Sequence, residues 1–200
     1  MAYIMDLIKQ NILNIIKNST RITSIIQTIG LISSENLMLT GGSLRNVIWN
    51  FQHYYREEYE LEDCDIIFYN TSNLSKVYEE TIKNKLEYLN PDINWSVKNQ
   101  ARMHIRNGHN PYKGIYDALT AFPETCSAVA IDKNWNIISP YGLDDLINLI
   151  VKPTPFCIEN EIEVYHRRIK KKNWLDKWAD LEVKRNTAHN SYYNGFGQLA

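Results

Sequence analysis

Cysteine is scarce in this chain, long apolar runs are missing, and neither sign of charge dominates. The three cysteines, Cys64, Cys126 and Cys157, are odd in number and show no CxxC spacing. That argues against a disulfide framework and fits a reducing cytoplasm. No stretch is long and apolar enough to span a bilayer, so no membrane partner is expected. The first sixteen residues mix Asp6, Lys9 and Gln10 into an amphipathic pattern. Such a pattern belongs to a packed helix and not to an export signal. Lysine and arginine number 22 against 23 acids, a formal net charge of -1. This balance gives no global reason to expect a nucleic-acid binder, although it constrains nothing locally. Internal repeats and low-complexity segments are absent as well. What remains is an ordinary soluble composition, 44% hydrophobic over 200 residues, enough for one domain with a sizeable core.

One stretch stands out. Leu37 to Thr40 reads as a short strand that ends in Gly41, Gly42 and Ser43. A helical pattern follows at once, with Leu44, Val47, Ile48, Phe51 and Tyr55 on one face. A glycine turn between strand and helix leaves backbone N–H groups unpaired and aims the positive end of the helix at any ligand there. Downstream, the run Glu62-Asp63-Cys64-Asp65-Ile66-Ile67-Phe68 supplies a second strand. Alternation puts Asp63 and Asp65 on one face, within reach of a shared cation. A phosphate cradle and a carboxylate pair are the parts that phosphoryl or nucleotidyl transfer requires.

The remaining pattern predicts helices over about 2–17 (Ile4, Leu7, Ile8, Ile12, Ile15 and Ile16 inward) and 20–29, the second closed by Gly30. The glycine-turn helix runs to about Tyr59 and the aspartate strand spans 63–69. Residues 70–73 form a capping cluster before a helix to about Leu89, with Leu74, Val77, Tyr78, Ile82 and Leu86 inward. Ile93, Trp95 and Val97 alternate as a third strand, and 99–106 is a short helix halted at Gly108. A loop over 110–114 precedes a helix to Phe122. Residues 126–131 and 137–139 form a hairpin. Helices follow over 143–151 and 159–181, and the tail, 186–200, is loose. Early alternation of helix and strand with a late hairpin implies a mixed sheet.

Glycine, glycine and serine at a helix start, followed by Asp63-x-Asp65 on a strand, resemble the polymerase-β-like nucleotidyltransferase superfamily. A narrower resemblance covers roughly residues 36–180. Trp95 to His104, Pro123-Glu124-Thr125, Pro140 to Leu146, and Val151 to Thr154 are similar to strings in a family of uncharacterised bacterial nucleotidyltransferase-like proteins. The resemblance implies an α/β (α+β) fold: a polymerase-β-like core with a small mixed sheet flanked by helices and a helical C-terminal part. In this single domain, residues 1–33 form N-terminal helices, 34–152 the catalytic core, 153–185 the C-terminal helical part and 186–200 the tail. The implied reaction is transfer of a nucleoside monophosphate from an NTP to an acceptor hydroxyl, with release of pyrophosphate. In that scheme Gly41, Gly42 and Ser43 hold the triphosphate, Arg45 reaches a phosphate as a charged fork, and Asp63 and Asp65 carry Mg²⁺ or Mn²⁺. Lys98, Asn99 and Arg102 are candidates for the rim of the pocket, with Lys98 placed to neutralise a phosphate and packing the alternative role for Asn99 and Arg102. The partners are an NTP and an unidentified acceptor, whether small molecule, protein or RNA.

The superfamily pattern usually includes a third carboxylate on a neighbouring strand. The strand expected to carry it, Asp92 to Asn99, has no acid in its middle. Asp92 and Glu124 are the remaining candidates. The gap keeps open a degenerate nucleotide-binding protein and an RNA- or protein-interaction module on the same fold. The basic run Arg167, Arg168, Lys170, Lys171 and Lys172 is the natural RNA contact in that last case and otherwise a solvated helix face. His104 is either a substrate-binding group or a hydrogen-bonded structural histidine. Asp144 and Asp145 open a helix and complement its dipole. Each feature has an ordinary explanation of its own: a tight turn, an N-cap, a solvated strand end. Their order along the chain is what favours a site.

Overall fold

The computed structural model describes residues 2–55 and 63–185. Glu62, Tyr59 and the tail 186–200 lie outside the described residues; the glycine-turn helix expected to reach about Tyr59 ends within them, at Gln52.

Two helices come first, α1 (Ala2–Asn18) and α2 (Thr20–Gly30). Ser19 between them accepts the Ile22 N–H at 3.1 Å, capping the second helix. Ile12, Ile15, Ile16, Ile22, Ile25 and Ile29 enter the main core. Ile4 and Leu7, expected on the same face, are exposed, so only the C-terminal half of α1 is packed. Gly30 stays helical, and Leu31, itself right-handed, closes the helix by donating to Thr28.

The central elements are β1 (Met38–Thr40), α3 (Gly42–Gln52), β2 (Cys64–Phe68), α4 (Lys76–Leu89), β3 (Trp95–Asn99) and α5 (Gln100–Asn107). The α3 face is narrower than expected: Leu44 and Ile48 are buried, but Phe51 and Tyr55 are exposed. Ser75 caps α4 by accepting the Val77 N–H at 3.1 Å, so Leu74 precedes the helix, and it and Val77 are solvent-facing. Asn70 instead shapes the preceding turn, accepting from Ser72 and Asn73 N–H. The third strand lies two residues later than the alternation suggested.

After α6 (Ile115–Thr120) and a 3-10 turn (Thr125–Ser127), a hairpin forms from β4 (Ala130–Asp132) and β5 (Ile137–Ile138). The helix expected over 143–151 is only α7 (Asp144–Ile147). Leu149 turns left-handed at φ 60, and β6 (Ile150–Val151) then pairs in parallel with β7 (Glu182–Val183). α8 (Pro155–Asn160) precedes α9 (Ile162–Lys172) and α10 (Trp174–Lys177). Asn173, at φ 46, separates the last two where one long helix was expected. Asparagine is among the few side chains that accept this conformation.

The sheet order is β3-β2-β1-β4-β5. Only β2 and β3 run parallel; the other neighbours are antiparallel. Leu39, Ile66, Val97 and Ile131 point into the main core beneath α1 to α4. Met38, Ile67 and Ala130 point to the opposite face, where Leu119 of α6 covers them. Thr40 lies opposite Asp65 and Asp65 opposite Ser96. Period-2 alternation therefore places this row on the second face, one step beyond the α6 cover. The mixed α/β architecture is the one the sequence pattern implied.

Candidate active site

Gly41 joins β1 to α3 at φ 71 and ψ -139, a conformation open essentially to glycine alone. The first bond of α3 runs from the Arg45 N–H to the Gly41 carbonyl at 3.1 Å. The N–H groups of Gly42, Ser43 and Leu44 thus have no partner within the helix. A Cβ on Gly41 would lie 3.0 Å from Asp65 Oδ2. The glycine bend and the second aspartate therefore face one another at van der Waals distance. Both lie in a cleft of about 870 Å³ whose lining includes Thr40, Gly42, Asp63, Lys98, Glu124 and Arg168. The cleft is open to solvent and is not plugged by apolar side chains.

Asp63 precedes β2 and is exposed, and its Oδ1 accepts from Asn94 Nδ2 at 2.6 Å. Asp65 is half-buried. Burial pushes its carboxyl above the ordinary aspartate range; the Ser96 hydrogen bond lowers it, the Asp63 charge raises it, and Lys98 and Lys172 lower it. Two mutually repelling carboxylates, one of them poorly solvated, gain from a shared cation. Mg²⁺ takes hard oxygen ligands and usually only one or two carboxylates, with water and phosphate oxygens completing its shell. The pair fits such an ion. No cluster of three or more histidine, cysteine, aspartate or glutamate side chains suited to a metal occurs among the described residues.

The other expected site residues fall in several places. Gly42 lines the cleft, whereas Ser43 is buried beside it, its Oγ donating to the Asp63 carbonyl at 3.4 Å. That contact ties the start of α3 to the start of β2. Arg45 reaches the cleft wall, but its guanidinium packs over the rings of Trp49 and Trp174, 4.7 and 4.5 Å from their centroids. Its Nη1 donates to Ser127 Oγ at 2.9 Å and its Nη2 to Asn46 Oδ1 at 3.0 Å. Lys98 lines the cleft. Asn99 is buried and caps α5, accepting the Ala101 N–H at 3.1 Å and the Asn70 N–H at 3.0 Å. Arg102 forks onto Glu79 with contacts of 2.9 and 2.8 Å. It lines a neighbouring groove between α4, β3 and α5 that shares Asp63 and Lys98 with the aspartate cleft. His104 packs edge-on near Tyr112, with centroids 6.2 Å apart.

Of the two candidate third acids, Asp92 lies in an exposed turn away from the cleft, while Glu124 lines it. Glu124 is fully buried and held by Arg168 of α9, whose Nε donates to Oε1 at 2.6 Å and Nη2 to Oε2 at 3.3 Å. Lys172, one turn further along α9, also lines the cleft. Arg168 and Lys172 stood in a run read as a solvated helix face or an RNA contact. Their i, i+4 spacing places them on one side of the helix, the signal that could have separated them from Arg167 and Lys171.

Residues 25–183 match the sequence profile of a family described as Nucleotidyltransferase. None of the curated proteins compared with the chain matches it. An NMR structure described as revealing a CCA-adding enzyme head domain is 33% identical, with a TM-score of 0.77 over 88% of this chain and 96% of that one. The Thermotoga maritima CCA-adding enzyme in complex with tRNA shares the fold at 12% identity and a TM-score of 0.53, over 84% of this chain and 40% of that one. The Bacillus stearothermophilus CCA-adding enzyme in complex with CTP is 14% identical, with a TM-score of 0.50 over 82% and 40%. This chain thus spans about 40% of the length of those two enzymes. No helix among the described residues is long and apolar enough to cross a membrane. With the profile running from α2 to β7 and the glycine bend meeting the aspartates, the chain belongs to this nucleotidyltransferase family.

Proposed function

We propose that the protein transfers a nucleoside monophosphate from an NTP to an acceptor hydroxyl, with Mg²⁺ held by Asp63 and Asp65. The observation that carries this reading is the approach of the Gly41 bend to Asp65 across an open cleft. Backbone N–H groups at the start of α3 are suited to polyphosphate oxygens, and the helix end favours negative charge there. When bound, Mg²⁺ neutralises phosphate charge and steadies the departing pyrophosphate. Asn94 orients Asp63, and Ser96 orients Asp65. Lys98 and Lys172 add positive charge to the same cleft. The fold shared with a tRNA-bound enzyme supports an RNA end as the first acceptor to test.

A second reading, nucleotide binding without transfer, is favoured by one observation. Glu124 is engaged by Arg168, which leaves the aspartate pair without a further uncommitted acid from the two candidates. Incubating the protein with each radiolabelled NTP and an RNA-containing cell extract separates the two readings. Transfer gives a labelled product and pyrophosphate, and Asp63→Asn or Asp65→Asn abolishes both while far-UV circular dichroism is unchanged. Calorimetric NTP binding with no product supports the second reading. Full activity in either variant refutes the assignment of that aspartate.

A further inference from the structure

Glu124 is the one fully buried acid of the cleft, and the reaction as outlined leaves it unused. Its backbone is fixed from several sides. Its carbonyl accepts the Ser127 and Ala128 N–H groups, each at 3.1 Å. On either side of it, the Thr125 N–H donates to Lys152 and the Thr154 N–H to Pro123, again at 3.1 Å. Its side chain is therefore presented from a rigid corner. Both carboxylate oxygens accept from one guanidinium, that of Arg168.

The pairing is side-on. Nε and Nη2 each spend an N–H on Glu124, and a guanidinium has five. Among the described residues, three donors, two on Nη1 and one on Nη2, are left. The Arg168 side chain is 37% exposed, and it borders the cleft together with Asp65 and Gly41. Burial works against its charge, but Glu124, by charge and by hydrogen bond, and then Asp65 outweigh that cost and hold its pKa above the ordinary arginine range. A cation fixed on one edge by a buried carboxylate and lining an open cleft is pre-oriented for a bidentate contact to an anion.

We propose that Arg168 forms a polyphosphate-binding subsite of this cleft and that Glu124 is a positioning residue that aims its guanidinium. The inference rests on the nucleotidyltransferase reading above and assigns the β- and γ-phosphate end of the NTP to α9. It also assigns Glu124 a role distinct from metal ligand or proton acceptor. Arg45 cannot serve in the same way, because its guanidinium is taken up by Trp49, Trp174 and Ser127. Lys172 supplies a second, exposed charge on the same side of the helix.

The test is calorimetric titration of the whole chain, in Mg²⁺, with inorganic triphosphate, ATP and AMP. Arg168→Gln is expected to weaken triphosphate and ATP binding at least tenfold and to leave AMP binding within about twofold. Arg168→Lys keeps the charge but loses the fork, and falls between wild type and Arg168→Gln. Glu124→Gln weakens triphosphate binding in the same direction. The double variant Glu124→Gln/Arg168→Gln is no weaker than Arg168→Gln alone, because the acid acts only through the arginine. The double variant also removes the unpaired buried charge that could unfold Arg168→Gln. The inference is overturned if Arg168→Gln binds triphosphate as wild type does, or if AMP and triphosphate weaken equally. It is also overturned if Glu124→Gln abolishes turnover with triphosphate affinity intact. A wild-type protein that binds neither triphosphate nor ATP overturns the nucleotidyltransferase reading as well, which distinguishes the two failures.

Discussion

Replacing Gly41 with alanine perturbs the backbone and the metal-binding pair in one step, and the two effects can be separated. At φ 71 and ψ -139 an L-residue costs about 1–3 kcal/mol of backbone strain. In a domain of this size each kcal/mol lowers the melting temperature by about 2–4 °C. The added methyl also meets Asp65 Oδ2 at 3.0 Å, closer than an ordinary carbon–oxygen contact, so the carboxylate must give by a few tenths of an ångström. A shift of that kind in one of two carboxylate ligands weakens Mg²⁺ coordination, because the ion demands near-octahedral geometry at about 2.0–2.1 Å. Gly108→Ala is the control: Gly108 is also left-handed, at φ 72 and ψ 25, but a Cβ there meets nothing within 4 Å. It should cost about 1–2 kcal/mol through the backbone alone. Urea unfolding and calorimetric titration of ATP with Mg²⁺ measure both consequences. Both variants should be less stable than wild type, but only Gly41→Ala should lose Mg²⁺-dependent affinity by tenfold or more. Equal affinity in the two variants would refute the claim that the glycine bend sets the position of Asp65.

Two further outcomes follow from groups outside the aspartate pair. Arg45→Lys removes the guanidinium contacts with the Trp49 and Trp174 rings and the hydrogen bonds to Ser127 and Asn46. It should destabilise the fold by roughly 2–4 kcal/mol in urea unfolding. A stable Arg45→Lys variant that loses only NTP affinity would return Arg45 to the list of phosphate ligands. Burial pushes the Cys64 and Cys126 thiols up to about 12 and that of Cys157 up to about 11. The folded state therefore holds these protons more tightly than the unfolded chain. Their contribution is fully present below about pH 8.5, the ordinary thiol value, and is lost as pH rises toward the folded values. The urea midpoint should fall between pH 8.5 and 10.5, and Cys126→Ala should flatten the fall. A disulfide reagent should titrate these thiols only on unfolding. A midpoint independent of pH over that window would contradict the burial argument.

The parts legible in the sequence are those set by short-range rules. Alternation over 63–68 placed Asp63 and Asp65 together, and the glycine pair marked the strand-to-helix turn, because both depend on residues two to four apart. Failures concentrate where partners are distant. The segment 143–151 has a helical pattern, but Ile150 and Val151 find Glu182 and Val183, thirty-two residues away, and a strand wins. Helix 159–181 breaks at Asn173, which lets Trp174 and Trp178 turn back onto Trp49, with centroids 5.5 and 5.1 Å from it. Asn99 was read as a pocket-rim residue, yet its side chain donates to the Asn70 and Asn73 carbonyls. A buried loop organiser and an exposed ligand look alike in one dimension.

Arg45 and Arg168 show why the identity of a phosphate-binding cation is a tertiary property. An arginine three residues after a glycine turn is well placed for a triphosphate, and nothing local argues otherwise. What decides is the set of partners brought by the fold: the Trp49 and Trp174 rings and the Ser127 and Asn46 oxygens hold the Arg45 guanidinium in the wall, and the Trp49–Trp174 contact joins the C-terminal helices to the core. The same docking brings α9 across the sheet end, so that Arg168 and Lys172 enter the cleft from more than 120 positions downstream of the glycine bend. Part of the positive charge for the substrate, beyond that of Lys98, then depends on the C-terminal elements being folded in place. A net charge of -1 does not oppose polyanion binding, because the relevant field is set within one Debye length, about 10 Å at ordinary ionic strength. On this argument a loss of the Trp49–Trp174 contact weakens NTP binding even though neither indole is a ligand.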